Sequence, residues 1–237
     1  ETTTAPTPFM YCRGAMGKNK LRRFAENETF PNLFQPRIVF PPVDHPMKGH
    51  WGEQVFGNPN PLTLELGCGR GEYTVGLSAL HPERNFVGID WKGARLWRGA
   101  KTTFELGQRN AAFLRIMIGN IRWFFAPEDR VDTIWVTFPD PQLTSGGERK
   151  RLTGPRFLDY YRMFMPKHGV VNLKTDSRPL YDYTSELAAT QGLKVLKQTH
   201  DLYQSDIVDP VLAIRTTYES RWLAAGLPIC YLQFEIG

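Results

Sequence analysis

From Thr63 the chain reads Thr-Leu-Glu-Leu, then a turn with glycine at 67, 69 and 71, then a helix-forming run that starts at Glu72. This strand, glycine-rich turn and helix restrict the fold more than any other segment. Glycines at alternate positions allow a sharp reversal and let a bound group approach where a Cβ would clash. The helix that follows aims its free N–H groups at the same point. A dinucleotide fingerprint needs Gly-x-Gly-x-x-Gly, and reading from Gly67 its last position is occupied by Glu72. A glycine-rich turn in a generic α/β domain is the other reading of this segment alone.

From there strands and helices alternate. Strands are expected at Thr63–Leu66, Phe86–Asp90, Ala112–Met117, Asp132–Phe138, Gly169–Lys174, Leu193–Gln198 and Ile229–Ile236. Helices are expected at Glu72–Leu80, Gly93–Leu106, Asn120–Phe125, Pro155–Met165, Pro179–Gln191 and Tyr218–Ala225. Such alternation predicts an α/β, Rossmann-like fold: a seven-stranded, mostly parallel sheet, helices on both faces, and an antiparallel C-terminal edge strand. Residues 62–237 would form this domain. Residues 16–61, rich in proline, read as an arm packed on it through Phe30, Phe34, Ile38, Val39 and Phe40. Residues 1–15 read as a disordered extension, with Met16 as a natural start.

In open parallel sheets ligands bind beyond the carboxyl ends of the strands, so the residues just after each strand carry the functional reading. Glu65, two residues before Gly67, suits the cationic methionine part of S-adenosylmethionine. Asp90 ends the next strand, where a carboxylate accepts bonds from ribose hydroxyls. Asn120 offers a donor and an acceptor for an adenine edge, and equally reads as a helix cap. Asp140 lies between two prolines in Phe138-Pro-Asp-Pro. An ionised carboxylate only accepts, which matches the N1–H and N2–H donors of guanine; a rigid turn with a solvated acid is the alternative. Asp176 follows the fifth strand. Thr216-Thr217-Tyr218-Glu219 reads first as a capping box.

The formal net charge is +5, and the basic residues are clustered. Seven lie between Lys92 and Arg122 against the single acid Glu105, five more lie at Arg13, Lys18, Lys20, Arg22 and Arg23, and a third group is Arg149-Lys150-Arg151 with Arg156. This is the footprint of a polyanion partner, or a solvated basic face. Three cysteines without metal spacing and five histidines without a ligand pair predict reduced thiols, no metal and a cytoplasmic setting. No signal-like segment and no apolar run of membrane-spanning length is present, so no membrane partner is expected.

Together these segments resemble the bacterial tRNA (guanine-N7)-methyltransferase family, class I S-adenosylmethionine-dependent enzymes, from about Met16 onward. The carrying residues are Leu64–Glu72, Phe86–Asp90, Phe138–Pro141, Lys150–Leu152, Leu173–Asp176 and Thr216–Glu219. The resemblance implies methyl transfer from S-adenosylmethionine to N7 of guanine 46 in the tRNA variable loop, by a monomer or homodimer. It implies that Glu65, Gly67, Gly69, Gly71, Asp90, Asn120 and Asp140 line the cofactor and guanine site, with Asp140 catalytic. It also implies that Asp176, Thr216, Thr217, Tyr218 and Glu219 hold the target base. One departure stands out. Where the family has a lysine four residues after its aspartate, this chain has Thr144, and Lys150 beyond a Gly146-Gly147 hinge is the candidate substitute. Another methyltransferase of the same fold and a non-catalytic RNA-binding protein are the competing readings. A nicotinamide dehydrogenase is disfavoured by Glu72.

Overall fold

A computed structural model describes residues 13–237. The strands are β1 (Leu33–Phe34), β2 (Leu62–Leu66), β3 (Asn85–Asp90), β4 (Ala111–Arg115), β5 (Val131–Thr137), β6 (Val170–Thr175), β7 (Val195–Thr199) and β8 (Cys230–Glu235). The helices are α1 (Arg13–Asn27), α2 (Glu72–Leu80), α3 (Gly93–Glu105), α4 (Pro155–Arg162), α5 (Arg178–Thr190) and α6 (Thr217–Ala224). All strands join one sheet in the order β1-β4-β3-β2-β5-β6-β8-β7, parallel from β1 to β6 and antiparallel where β8 meets β6 and β7.

Two details differ from the expectation. The sheet has eight strands, because the arm contributes β1, which pairs with β4 at Leu33↔Phe113 and Phe34↔Leu114. The C-terminal strand is antiparallel as expected but is not the edge: β8 inserts between β6 and β7, leaving β7 outermost.

Side chains of a strand alternate between its faces, and here the alternation divides the interior. Leu62, Leu64 and Leu66 face one core with Val87, Ile89, Ile134 and Val136, under α4 and α5. Phe86 and Trp135 face the opposite side, with Tyr73 and Leu77 of α2. Phe113 meets Leu96 and Ala100 of α3 there. Glu65 falls on this second face by register alone, and Gly88, its partner across β2 and β3, makes room. A Cβ on Gly88 would come within 2.8 Å of Thr74 Oγ1 and 2.9 Å of Phe113.

The arm is more structured than its composition indicates. Asn27 donates to the Gly93 carbonyl at 2.9 Å, and Asn32 donates to the Ala100 carbonyl and to Thr103 Oγ1. Arg23 lies over the Trp97 ring, so α1 docks on α3 largely through polar and cation–π contacts. Of the expected anchors, Phe30 and Phe34 are partly buried, whereas Ile38, Val39 and Phe40 are exposed, Phe40 at 95%. The expected extension falls outside the described residues up to residue 12; Arg13–Ala15 belong to α1.

Candidate active site

Strand order reverses between β2 and β5, and the crevice beyond their carboxyl ends is the expected ligand position. A cleft of about 600 Å³ opens there, a size suited to a cofactor-sized ligand. Its walls are the Gly67–Arg70 turn after β2, Phe138–Pro141 after β5, Asp176 and Ser177 after β6, and Thr216–Tyr218 at the start of α6.

The three glycines of the turn all have left-handed backbone, with φ of 72°, 57° and 71°. Their surroundings differ. A Cβ on Gly71 would lie 2.5 Å from Phe113 Cε1, so this glycine seats the turn against β4. At Gly67 and Gly69 the nearest atom would be 4.0 Å away, so there the missing side chain leaves open space at the cleft wall. Cys68 between them is buried, and burial pushes its thiol pKa well up, which keeps it an unreactive thiol.

Asp90 anchors the turn. Its Oδ2 accepts from Gly69 N at 2.9 Å and its Oδ1 from Lys92 N at 2.8 Å, leaving lone pairs on both oxygens for a further donor. Glu65 lies beneath the turn rather than on the cleft wall, only 2% exposed. Its Oε2 accepts from Thr74 N at 2.8 Å and Thr74 Oγ1 at 2.5 Å, and its Oε1 from Thr137 Oγ1 at 2.9 Å. Thr137 lines the cleft, so Glu65 meets the site through it. Burial pushes the Glu65 carboxyl up to about 7 and outweighs the hydrogen bonds, which act in the other direction.

The Asp140 segment is a constrained knuckle. Phe138 and Gln142, on either side of Pro-Asp-Pro, have φ of 48° and 49°, a region in which bulky residues are outliers. Several contacts hold the shape. Phe138 N donates to the Lys174 carbonyl at 2.8 Å, and Gln142 N donates to Asp140 Oδ1 at 3.1 Å. Arg151 donates to the Pro141 and Gln142 carbonyls, both at 3.3 Å, while its guanidinium lies 4.1 Å from the Tyr183 ring centre. Asp140 itself is exposed to the cleft. Asp176, across from it, has its carboxyl raised by burial.

The fourth wall rests on a buried ion pair. Lys174 and Glu219 are fully inaccessible and 2.7 Å apart. Lys174 Nζ also donates to the Leu212 and Ile214 carbonyls, while Glu219 accepts from Tyr203 Oη at 2.6 Å. Burial lowers the Lys174 pKa, with Glu219 opposing. Thr216 and Glu219 form the reciprocal capping box of α6. Glu72 accepts from both the backbone and the hydroxyl of Thr217, tying the start of α2 to the start of α6. Tyr218, half-exposed, packs its ring 5.7 Å from Phe138 and 5.7 Å from Trp222.

Residues 59–232 match the family described as "Putative methyltransferase". A tRNA (guanine-N(7)-)-methyltransferase of Bacteroides fragilis (strain YCH46) is 47% identical over 220 residues, 92% of this chain and 86% of its own. Enzymes of the same name from Cytophaga hutchinsonii, 47% identical over 93% of this chain and 98% of their own, and Porphyromonas gingivalis, 50% over 89% and 86%, agree. The chain belongs to the tRNA (guanine-N7)-methyltransferase family. The structure of the 16S rRNA methyltransferase KamB superposes with a TM-score of 0.61, covering 85% of this chain and 99% of its own, at 18% identity; this likeness is one of fold.

In this tRNA (guanine-N7)-methyltransferase family member, the sequence-derived residues separate into groups. Gly67, Gly69, Asp140, Asp176, Thr216, Thr217 and Tyr218 meet at one cleft. Glu65, Gly71 and Glu219 lie behind its walls, and Asp90 braces the glycine turn. Asn120 sits inside a 3₁₀ turn (Ile118–Trp123) whose cap position is Met117, so it is not the cap, and it does not border the cleft. Lys150 is exposed at the end of another 3₁₀ turn, also off the cleft wall. Of the two expected hinge glycines, Gly147 is buried, and a Cβ there would lie 2.4 Å from the Gln142 carbonyl, whereas Gly146 is exposed with open space around it. Sequence reasoning missed Glu72 as a partner of Thr217, the strained Phe138, and the cleft arginines Arg70, Arg95 and Arg221. For Glu72 and Phe138 the signal was position, directly after the glycine turn and directly after β5, whereas Arg70 lies within the turn, Arg95 in the first turn of α3 and Arg221 in the last turn of α6.

Proposed function

We propose that this chain transfers a methyl group from S-adenosylmethionine to N7 of a guanine in tRNA, the variable-loop guanine 46 being the target. The observation that carries the reading is one cleft at the sheet's switch point that joins an open glycine turn to a knuckle presenting Asp140. The cleft fits the cofactor. Gly67 and Gly69 leave space that a side chain would fill, and Asp90 keeps acceptor capacity beside the turn. Asp140, Asp176 and Glu72 supply negative charge for a sulfonium and an ammonium group. When bound, the cofactor supplies an electrophilic methyl on a positively charged sulfur.

The remaining chemistry belongs to the protein. Guanine N7 carries a lone pair and no proton, so no general base is required, and orientation is the main task. Asp140 accepts from N1–H and N2–H of the base. It thereby turns N7 toward the methyl group and stabilises positive charge developing on the ring. Asp176 faces it as a second acceptor, and the Phe138–Tyr218 pair offers an aromatic wall for the base. Glu65 acts on the cofactor end through Thr74 and Thr137.

The test is incubation with labelled S-adenosylmethionine and unmodified tRNA, followed by nucleoside analysis. Label in 7-methylguanosine is expected. Label in another nucleoside, or cofactor binding with no transfer, would overturn the assignment.

A further inference from the structure

Away from the cleft wall, on the flank formed by α4 and the 118–123 turn, arginines and aromatic rings alternate. The Arg122 guanidinium lies 4.8 Å from the Trp123 ring centre and 4.9 Å from that of Tyr160. Arg156 reaches the same tyrosine, with its guanidinium 5.5 Å from the ring centre and its Nε donating to Tyr160 Oη at 3.0 Å. Arg37 and Trp123 border one shallow hollow of about 140 Å³, on a segment that also carries the exposed Phe40.

This surface is uncompensated. Arg37, Arg122 and Arg156 join no ion pair among the described residues. Arg122 Nε is buried without a hydrogen-bond partner. The nearby acids are already engaged, Asp44 by Lys48 and Asp159 by Arg162. Stacking on rings fixes the plane of a guanidinium and leaves its outer N–H groups pointing away, the geometry in which arginine meets a phosphate bidentately. Rings interleaved with arginines also offer faces for unstacked bases. The flank adjoins the cleft: Leu152, three residues before α4 begins, would supply the nearest atom, at 4.0 Å, to a Cβ placed on Gly67.

We propose that Arg37, Arg122, Trp123, Tyr160 and Arg156 form a second RNA-binding surface, which grips a part of the tRNA other than the nucleotide in the cleft. This rests on the tRNA reading above. Phosphates meet Arg37, Arg122 and Arg156, and an exposed base stacks beside Trp123 or Tyr160. An acidic protein partner is the outcome to be separated from it.

The experiment compares the full chain with its Arg37→Gln/Arg122→Gln/Arg156→Gln variant by direct binding of unmodified tRNA over a range of salt. A second substrate is a short RNA stem-loop that holds only the target guanine. The variant should bind tRNA about 10-fold more weakly. Its slope of log affinity against log salt should be shallower by about one for each phosphate that the variant no longer neutralises. Stem-loop methylation and S-adenosylmethionine affinity should stay as in the wild type, the latter also reporting that the variant folds. Unchanged tRNA affinity and slope would overturn the proposal and leave an acidic protein as the partner class. Equal loss on the stem-loop would overturn it too, by placing the effect at the cleft. If the wild type binds tRNA but methylates no guanine in it, the functional reading fails while the binding comparison still decides the surface.

Discussion

Asp140 and Glu65 show how differently two acids of one site are used. Asp140 is held by prolines and by two left-handed neighbours, with its carboxylate open to the cleft. Asp140→Ala is therefore expected to lower kcat at least about 100-fold, the scale set by misplacing a reactant, while cofactor affinity changes little. Asp140→Asn should be nearly as damaging, because the amide offers only one acceptor oxygen to two paired donors. Single-turnover methylation and cofactor titration check both. Glu65 is closed off, and its carboxyl is raised from the ordinary 4.5 to about 7. The folded chain thus holds a proton that the unfolded chain has released between those values, so Glu65 makes stability fall as pH rises through that window. The span corresponds to about 3 kcal/mol. Denaturant unfolding of the ligand-free protein from pH 4.5 to 7.5 should show this slope, and Glu65→Gln should flatten it. A slope unchanged in the mutant would count against the buried, protonated carboxyl. Sequence pattern singled out both acids, Glu65 just before the glycine turn and Asp140 between its prolines. Which of them reached the cleft depended on strand register, since odd positions of β2 face α2, and a single sequence does not reveal that α2 places Thr74 there.

At the scale of elements, the segment from Arg215 to Glu219 shows why part of the site was illegible. The capping box was readable, because Thr216 and Glu219 stand three apart. The partnership of Glu219 with Lys174 was not, since 45 positions separate them and neither has an apolar neighbour pattern that announces burial. The same holds for Glu72 and Thr217. Helix α1 was missed for a related reason: apart from Phe24 against Gly93, its contacts with α3 include an amide, a carboxylate and a stacked cation, which carry little hydrophobic periodicity. Breaking the buried pair leaves a charge without a partner in a dry site. Lys174→Met is expected to destabilise the protein by about 3–5 kcal/mol, measured as a shift in the urea midpoint. Because the pair anchors α6, the surviving folded fraction should also show a raised KM for tRNA. Wild-type stability in this variant would mean that water reaches Glu219.

Over the whole molecule the basic residues are not equivalent. Arg151 supports the Asp140 knuckle, whereas Arg149 and Lys150 are exposed beside it. Arg149→Glu/Lys150→Glu should weaken tRNA binding and flatten its salt dependence with little change in folding. Arg151→Ala should instead lower kcat by loosening the knuckle. Lys150→Ala, measured at saturating tRNA beside Thr144→Lys, decides whether Lys150 takes the part of the family lysine; a full rate in Lys150→Ala rules that out. The parallel character of β2 to β6 was legible because strands and helices alternate there, whereas the pairing of β1 with β4 was not. The position of β8 was not, since it depends on a pairing across some sixty residues. That late pairing has a consequence for synthesis. While the ribosome is still making α6, β6 has no partner on the side that β8 will fill, and β7, which pairs with β8 alone, has no place in the sheet, so the nascent sheet carries a raw edge at β6. The strand that bears Lys174 and leads to Asp176 is therefore completed only when residues 230–235 emerge. A ribosome stalled just short of them would display a domain whose open β6 edge invites a strand from a neighbouring chain.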